Sequence, residues 1–226
     1  MTLPAEPLKD PHPVKLRTSA LLALTLLAGC RHAGDVTSED GGGIYAVRSN
    51  CPIAGIPTGT GDITLFNPQG STDSAAIDVT AAITQLRAFC QESGSDVVST
   101  VTFTVTGLRR DAGPARQVIL QYFDVALRGG NTVAAKQLGA VALNFPAGSQ
   151  HATGAARASV RVNRGAAALP ENVRQILTRP RKAGEAEAAI DPLAEPGVRA
   201  AVANATFEHL VGFQLTRDQL KYNATR

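Results

Sequence analysis

The sequence predicts a mainly β fold: an antiparallel sandwich with a helical insertion before its last strand and a short helix at its end. Three observations support this prediction. Apolar residues alternate with polar ones in several segments between residues 62 and 163, which is the pattern of half-buried strands. Glycine, proline and asparagine separate these segments and supply turns. After residue 169 the apolar period becomes that of an amphipathic helix.

The first strands follow an irregular lead-in over residues 44–61, which is rich in proline and glycine. Asp62–Phe66 is a short candidate strand. A longer strand begins near Ile77, and its alternation changes phase at Gln85-Leu86. An extra residue in a strand produces such a change, so we expect a β-bulge before Cys90.

The clearest strand covers residues 97–106. One of its faces carries four threonines, and the other is mostly apolar, with Val97, Ser99, Val101, Phe103 and Val105. A strand with one apolar and one polar face is typical of an antiparallel sheet whose outer side meets water.

The next segments predict four further strands. Residues 117–127 place Ile119, Phe123, Val125 and Leu127 on one face, and Gly129-Gly130-Asn131 predicts a hairpin turn. We expect a return strand over residues 132–137 and a separate one ended by Pro146. The apolar positions of that separate strand and of the strand that follows it are Val141, Leu143, Phe145, Ala158, Val160 and Val162.

Several short strands with turns between them favour a sandwich of immunoglobulin or fibronectin type III kind. The sequence contains no tryptophan, although true immunoglobulin domains carry one in the core. Any kinship with those domains is therefore expected to be architectural.

The helical insertion is predicted over residues 169–205. A first amphipathic helix carries Leu169, Val173, Ile176 and Leu177, and a second carries Val198, Ala201, Val202 and Ala205. Residues 207–215 then alternate as a closing strand. Thr216 and Gln219 form a capping box that predicts the terminal helix. The insertion is either a contact surface for a partner or a segment that simply docks on the sheet.

Cys51 and Cys90 are the only cysteines after Cys30. In an exported chain such a pair predicts a disulfide. Two free thiols or half of a metal site are the alternatives, but no histidine or cysteine lies near either residue at ligand spacing.

Composition argues against several functions. The formal net charge is +3, too small to indicate a nucleic-acid-binding protein. Aromatic residues make up 4% of the chain, a poor supply for stacking bases or sugars. We therefore expect no nucleic-acid partner.

No motif for catalysis, cofactor binding or metal binding is recognisable, so we assign no residue to these roles. His32 lies in a segment with few apolar residues over 31–43, His151 in a predicted loop, and His209 on a strand as a structural histidine. A solvated face is the simplest interpretation of the acidic residues of the insertion, Glu185, Glu187, Asp191 and Glu195.

Basic residues of the insertion form a cluster with two interpretations, a solvated helix end or a contact with anionic envelope material such as lipid headgroups. The cluster consists of Arg174, Arg179, Arg181 and Lys182.

An apolar run over residues 20–29 follows Lys15 and Arg17. It is too short to cross a bilayer, which takes about 20 residues, but it fits the centre of a secretory signal. Leu27-Ala28-Gly29-Cys30 ends this run and resembles the lipobox of bacterial lipoproteins. The resemblance implies cleavage before Cys30 and acylation of this cysteine.

The predicted domains follow from this resemblance: a signal peptide over residues 1–29, a lipidated tether over 30–43, and the sandwich over 44–226. Residues 1–13 are unlike a signal start, so we expect translation to begin at Val14. In this family an aspartate after the lipidated cysteine retains the protein in the inner membrane. Arg31 occupies that position, which implies the periplasmic leaflet of the outer membrane.

The end of the chain, with Leu-Val-Gly-Phe-Gln-Leu-Thr and Gln-Leu-Lys-Tyr-Asn, resembles uncharacterised envelope lipoproteins of Gram-negative bacteria. We expect a non-enzymatic binding or assembly module that is held to the membrane by Cys30 and contacts an envelope protein. A secretion or transport accessory is the alternative, followed by an envelope hydrolase whose site residues are dispersed in sequence.

Overall fold

The computed structural model describes residues 49–179 and 186–225. The predicted signal peptide, Cys30 and the tether lie outside these residues. The strands are β1 (Ile53–Gly55), β2 (Asp62–Phe66), β3 (Ile77–Ser93), β4 (Asp96–Arg109), β5 (Arg116–Arg128), β6 (Thr132–Phe145), β7 (His151–Asn163) and β8 (Phe207–Phe213). The helices are α1 (Arg164–Ala167), α2 (Glu171–Thr178), α3 (Pro196–Ala205) and α4 (Arg217–Thr225).

The strands form two four-stranded sheets. Sheet A has the order β1-β8-β5-β6, and sheet B has the order β2-β3-β4-β7. Every pairing is antiparallel except that of the short β1 with β8, which is parallel. The predicted sandwich is confirmed, and its arrangement is compatible with an immunoglobulin-like architecture.

The inner face of β4 is the one predicted from alternation. Val97, Ser99, Val101, Phe103 and Val105 are all buried between the sheets. The threonines point to the outer side of sheet B, as expected for a strand that faces water on one side.

The predicted bulge in β3 is also confirmed. The register with β4 shifts between Thr84 and Arg87, and Gln85 adopts a positive φ of 54°. A bulge moves every later side chain of the strand to the opposite face. Leu86 consequently packs toward the core while Arg87 lies on the outer face.

Residues 132–145 form one strand, whereas the sequence predicted two. The region around Leu138 and Gly139 lacks a clear alternation, but the backbone stays paired with β5 throughout. Gly139 is needed because the ring of Tyr122 covers it: a Cβ there would lie 2.3 Å from Tyr122 Cζ.

The helices largely follow the prediction. α2 and α3 occupy the predicted positions, but helical structure already begins at Arg164, where Asn163 Oδ1 accepts a hydrogen bond of 3.2 Å from the backbone N–H of Ala166. Ala167 and Ala205 are buried. α1 and α3 close the end of the sandwich next to the β5–β6 turn, which we call the helical end.

The predicted capping box of α4 is confirmed. Thr216 N–H donates to Gln219 Oε1 at 2.9 Å, and Gln219 N–H donates to Thr216 Oγ1 at 3.2 Å. Tyr222 meets the ring of Phe66 edge-on at 5.1 Å, so α4 packs against β2.

At the opposite end of the sandwich, buried Arg109 joins two loops. Its guanidinium donates to the carbonyl oxygens of Gly113, Pro114, Pro146 and Ser149 at 2.7 to 3.0 Å. These bonds satisfy most of its donors, so the residue can be buried at 4% exposure.

Candidate functional site

Three polar side chains meet in the core between the sheets. His209 of β8 lies with Nδ1 2.9 Å from Ser99 Oγ of β4 and with Nε2 2.8 Å from Asp124 Oδ1 of β5. Exposure is 0% for Ser99 and His209 and 4% for Asp124. We call these three residues the polar layer.

The polar layer lies between two apolar clusters. On each of the three strands, the next inward-facing residue in one direction along the strand belongs to the larger cluster, and the next one in the other direction belongs to the smaller cluster. These neighbours are Val101, Tyr122 and Val211 in the larger cluster and Val97, Ala126 and Phe207 in the smaller one. The layer therefore separates the main core from the helical end.

Asp124 and Tyr122 also bind the edge of β7 that faces away from β4. Asp124 Oδ2 accepts a hydrogen bond from the backbone N–H of Ser159 at 3.1 Å, and Tyr122 O–H donates to the carbonyl of Arg157 at 3.1 Å. Burial, with a smaller contribution from the charge of Asp124, raises the pKa of Tyr122. Side chains thus replace strand pairing at this edge.

Serine, histidine and aspartate are also the components of a hydrolytic triad, so the geometry matters. In a triad, Nε2 of the histidine faces the serine and Nδ1 faces the aspartate. Here the two nitrogens are exchanged, and the three residues are at most 4% exposed. The geometry supports a role in core packing, in which each buried polar group has a partner.

The remaining residues considered for catalysis do not come together. His151 is exposed at the start of β7, whereas the sequence placed it in a loop. Asp191 accepts a hydrogen bond from the N–H of Leu193 at 2.9 Å, as the cap of a short turn. His32 and Glu185 lie outside the described residues, and the side chain of Glu187 is not described.

The basic cluster of the insertion is only partly described, because Arg181 and Lys182 lie outside the described residues. Arg174 pairs with Glu171 at 2.5 Å on the solvent side of α2, and hydrogen bonds from Arg174 and Gln175 lower the pKa of Glu171. Arg179 is exposed after the helix. The contact of this cluster with anionic material stays a prediction. The charge of Arg174 is already compensated by Glu171.

Cys51 and Cys90 form the predicted disulfide, which joins the segment before β1 to the far end of β3. Both residues pack against the smaller apolar cluster. The bond therefore fixes the beginning of the described chain at the helical end of the sandwich.

The outer face of sheet A is apolar, and we call it the apolar face. Ile53, Ile119, Val133 and Leu138 are each between 58% and 64% exposed there. They surround less exposed apolar residues from β5 and β8, namely Phe123, Val125, Leu127 and Leu210. A contiguous apolar patch of this kind is typical of an interaction surface.

The sequence did not show which face of β5 is buried. Its predicted apolar face, with Ile119, Phe123, Val125 and Leu127, lies on the outside, while Val118, Leu120 and Tyr122 point into the core. Both faces of β5 are apolar, and this double pattern is the signal that could have indicated the patch.

Charged residues of both signs border the apolar face. Lys136 Nζ lies 5.9 Å from the ring centroid of Phe123 at the β6 edge, and half-buried Glu208 of β8 lies between Ile53 and Leu127. An apolar centre with a polar border of mixed charge is the usual composition of a protein–protein interface.

A cleft of about 460 Å³ lies between α4 and the segment after β2. Its wall includes Asp78, whose carboxylate receives two hydrogen bonds from Arg116 at 2.6 and 2.7 Å. The hydrogen bond from Arg116 lowers the pKa of Asp78, against the opposing effect of burial. The acid is thus neutralised by its own partner.

No family model, curated protein or solved structure matches this chain. Within residues 49–179 and 186–225, no helix combines the length and apolar character that crossing a membrane requires. The same residues contain no group of three or more histidine, cysteine, aspartate or glutamate side chains that could hold a metal ion.

Proposed function

We propose that this chain is an envelope lipoprotein, held by acylated Cys30 in the periplasmic leaflet of the outer membrane, and that its sandwich is a non-enzymatic binding module. The apolar face is the observation that carries the binding role. The occupant we propose is another envelope protein.

The proposed location draws on two features of the chain. The Leu27-Ala28-Gly29-Cys30 segment is the signal for lipidation. The Cys51–Cys90 disulfide is expected in an exported protein, because cytosolic thiols are kept reduced. The resemblance to bacterial lipoproteins implies a diacylglyceryl group and an N-acyl chain on Cys30, and three acyl chains bind a membrane far more strongly than one chain does.

The apolar face carries charges of both signs, which favours a protein as its occupant. An anionic membrane surface would be repelled by Glu208, whereas a folded partner can place opposite charges against Lys136 and Glu208. The buried state of Ser99, His209 and Asp124 supports a role without catalysis, because a substrate has no access to them.

The test is affinity capture of the mature lipoprotein from its own crosslinked envelope, with matched variants. Leu138→Asp places a charge in the apolar face, and Leu193→Asp makes the same change at an exposed leucine of the insertion, which is 42% exposed. We expect Leu138→Asp to lose a protein that the wild type and Leu193→Asp both recover.

Three results would contradict the proposal. If Leu193→Asp loses the protein and Leu138→Asp retains it, the insertion is the contact surface. If the only recovered protein is a second copy of this chain, the face serves a dimer. If both variants recover the same proteins as the wild type, the apolar face has no partner.

A further inference from the structure

The outer face of sheet B combines cations, hydroxyls and an aromatic ring. Directly paired residues of neighbouring strands share a face. The pairing produces three successive rows across β3, β4 and β7: Arg87–Thr102–Arg157, Phe89–Thr100–Ser159 and Gln91–Val98–Arg161.

The charge of these rows is entirely positive. Arg87, Arg157 and Arg161 are exposed, and they are the only charged residues in the three rows. Within the described part of the chain, their side chains form no hydrogen bond or ion pair. Arg116 and Arg164, in contrast, are each paired with a carboxylate. The three guanidinium groups are therefore available to an anion from outside.

A concavity separates Arg87 from Arg157. A cleft of about 410 Å³ is lined by these two arginines and by Gln85, Thr102, Thr104 and Ala155 among others. Two strand spacings put the backbones of the two arginines about 10 Å apart. Both long side chains can turn toward a single acidic group placed over Thr102.

The bulge of β3 creates this arrangement. Without the extra residue, Leu86 would pair with Thr102 and face outward, and Arg87 and Phe89 would point into the core. The positive φ of Gln85 marks the bulge, and Thr104 Oγ1 donates to Gln85 Oε1 at 3.2 Å. Bulges often turn a side chain toward a functional site.

Phe89 indicates the kind of anion. It is 64% exposed between the rows that contain Arg87 and Arg161, so it offers a ring face beside the cations. Arginine binds carboxylate and phosphate groups through two parallel N–H donors, and the exposed hydroxyl of Thr102 can bind a further hydroxyl. Acidic groups, ring faces and hydroxyls occur together in an acidic glycan.

We propose that the outer face of sheet B binds an acidic glycan. Arg87 and Arg157 hold a carboxylate or phosphate of the chain over Thr102, Phe89 packs against a neighbouring sugar ring, and Arg161 meets the next acidic group. The choice of a glycan over a nucleic acid rests on the proposed envelope location, and Phe89 is the only aromatic residue in these rows.

The experiment uses the mature lipoprotein in detergent and titrates it with oligogalacturonate by calorimetry. The variant is Arg87→Gln/Arg157→Gln. The control is Arg199→Gln/Arg217→Gln, which removes two exposed charges elsewhere. We expect the variant to weaken binding at least about tenfold, because charge-assisted hydrogen bonds are lost, and the control to weaken it less than about twofold. Phe89→Ala should also weaken binding, and a neutral maltooligosaccharide should not bind.

The proposal is overturned if the wild type does not bind oligogalacturonate, or if both double variants lose the same affinity. It is also overturned if single-stranded DNA, or phosphatidylglycerol in mixed micelles of the same detergent, binds more tightly than the glycan and loses this binding in the Arg87→Gln/Arg157→Gln variant. The result is independent of Cys30 and of the apolar face, so Leu138→Asp should bind the glycan like the wild type.

Discussion

His209 Nε2 lies 2.8 Å from Asp124 Oδ1 at the centre of the sandwich. Asp124 also accepts the N–H of Ser159, so a single buried carboxylate joins β5, β8 and β7. Burying these groups is favourable only while each has its partner.

Replacing one member of the polar layer should therefore destabilise the fold. We expect Asp124→Ala to lower the free energy of unfolding by about 3 kcal/mol, since it leaves Nε2 of His209 and the N–H of Ser159 without a partner. Urea unfolding measures the change. Thr102→Ala, on the outer face of sheet B, should change stability by less than about 0.5 kcal/mol. Equal effects of the two substitutions would show that the polar layer is not a core element.

The disulfide should contribute strongly to stability. It closes a loop with a sequence separation of 39, which predicts about 3–4 kcal/mol on the chain-entropy model. Reduction of the disulfide should lower the melting temperature of the wild type. It should leave the melting temperature of the Cys51→Ala/Cys90→Ala variant unchanged. Two alkylatable thiols in the native protein, seen by mass spectrometry, would contradict this assignment.

Acid should weaken the contact between Asp78 and Arg116. The pKa of Asp78 is lowered in the folded state, so its contribution to stability is fully present above about pH 5 and is lost as the pH falls through the folded pKa. Because Arg116 is partly exposed, we expect the pair to contribute at most about 1 kcal/mol to the free energy of unfolding. Asp78→Asn should remove this part of the acid dependence of unfolding. An unchanged pH profile in that variant would refute the role of the pair.

Lipidation at Cys30 is tested by Cys30→Ser. We expect the variant to leave the membrane fraction or to accumulate as an unprocessed precursor, without incorporation of labelled palmitate. The wild type should co-sediment with outer-membrane markers in a sucrose gradient. Normal fractionation and labelling of Cys30→Ser would rule out this anchor, and a peak with inner-membrane markers would rule out the proposed leaflet.

Local patterns in the sequence were sufficient for much of the fold. The alternation through Val97 to Val105 identified the inner face of β4, the phase change at Gln85 identified the bulge, and Thr216 with Gln219 identified the start of α4. Each of these signals lies within a few neighbouring residues, where the geometry of a strand or helix determines the pattern.

The surfaces and the polar layer depend on contacts between distant residues. Ser99 and His209 are 110 residues apart, and the sequence placed Ser99 on the inner face without indicating its partner. The outer faces of the sheets also depend on strand register: Arg87 and Arg157 share a row only because β3 and β7 both pair with β4. For β5, two apolar faces left the direction of the core undetermined.

The most direct test of the proposed binding role is site-specific photo-crosslinking in the intact envelope. A photoreactive residue replaces Leu138 in the apolar face or, as the control, Leu193 in the insertion. The proposal predicts that position 138 yields a crosslinked envelope protein of one defined mass and that position 193 does not. Crosslinks from position 138 only to lipid or to a second copy of this chain, or the same product from both positions, would contradict it.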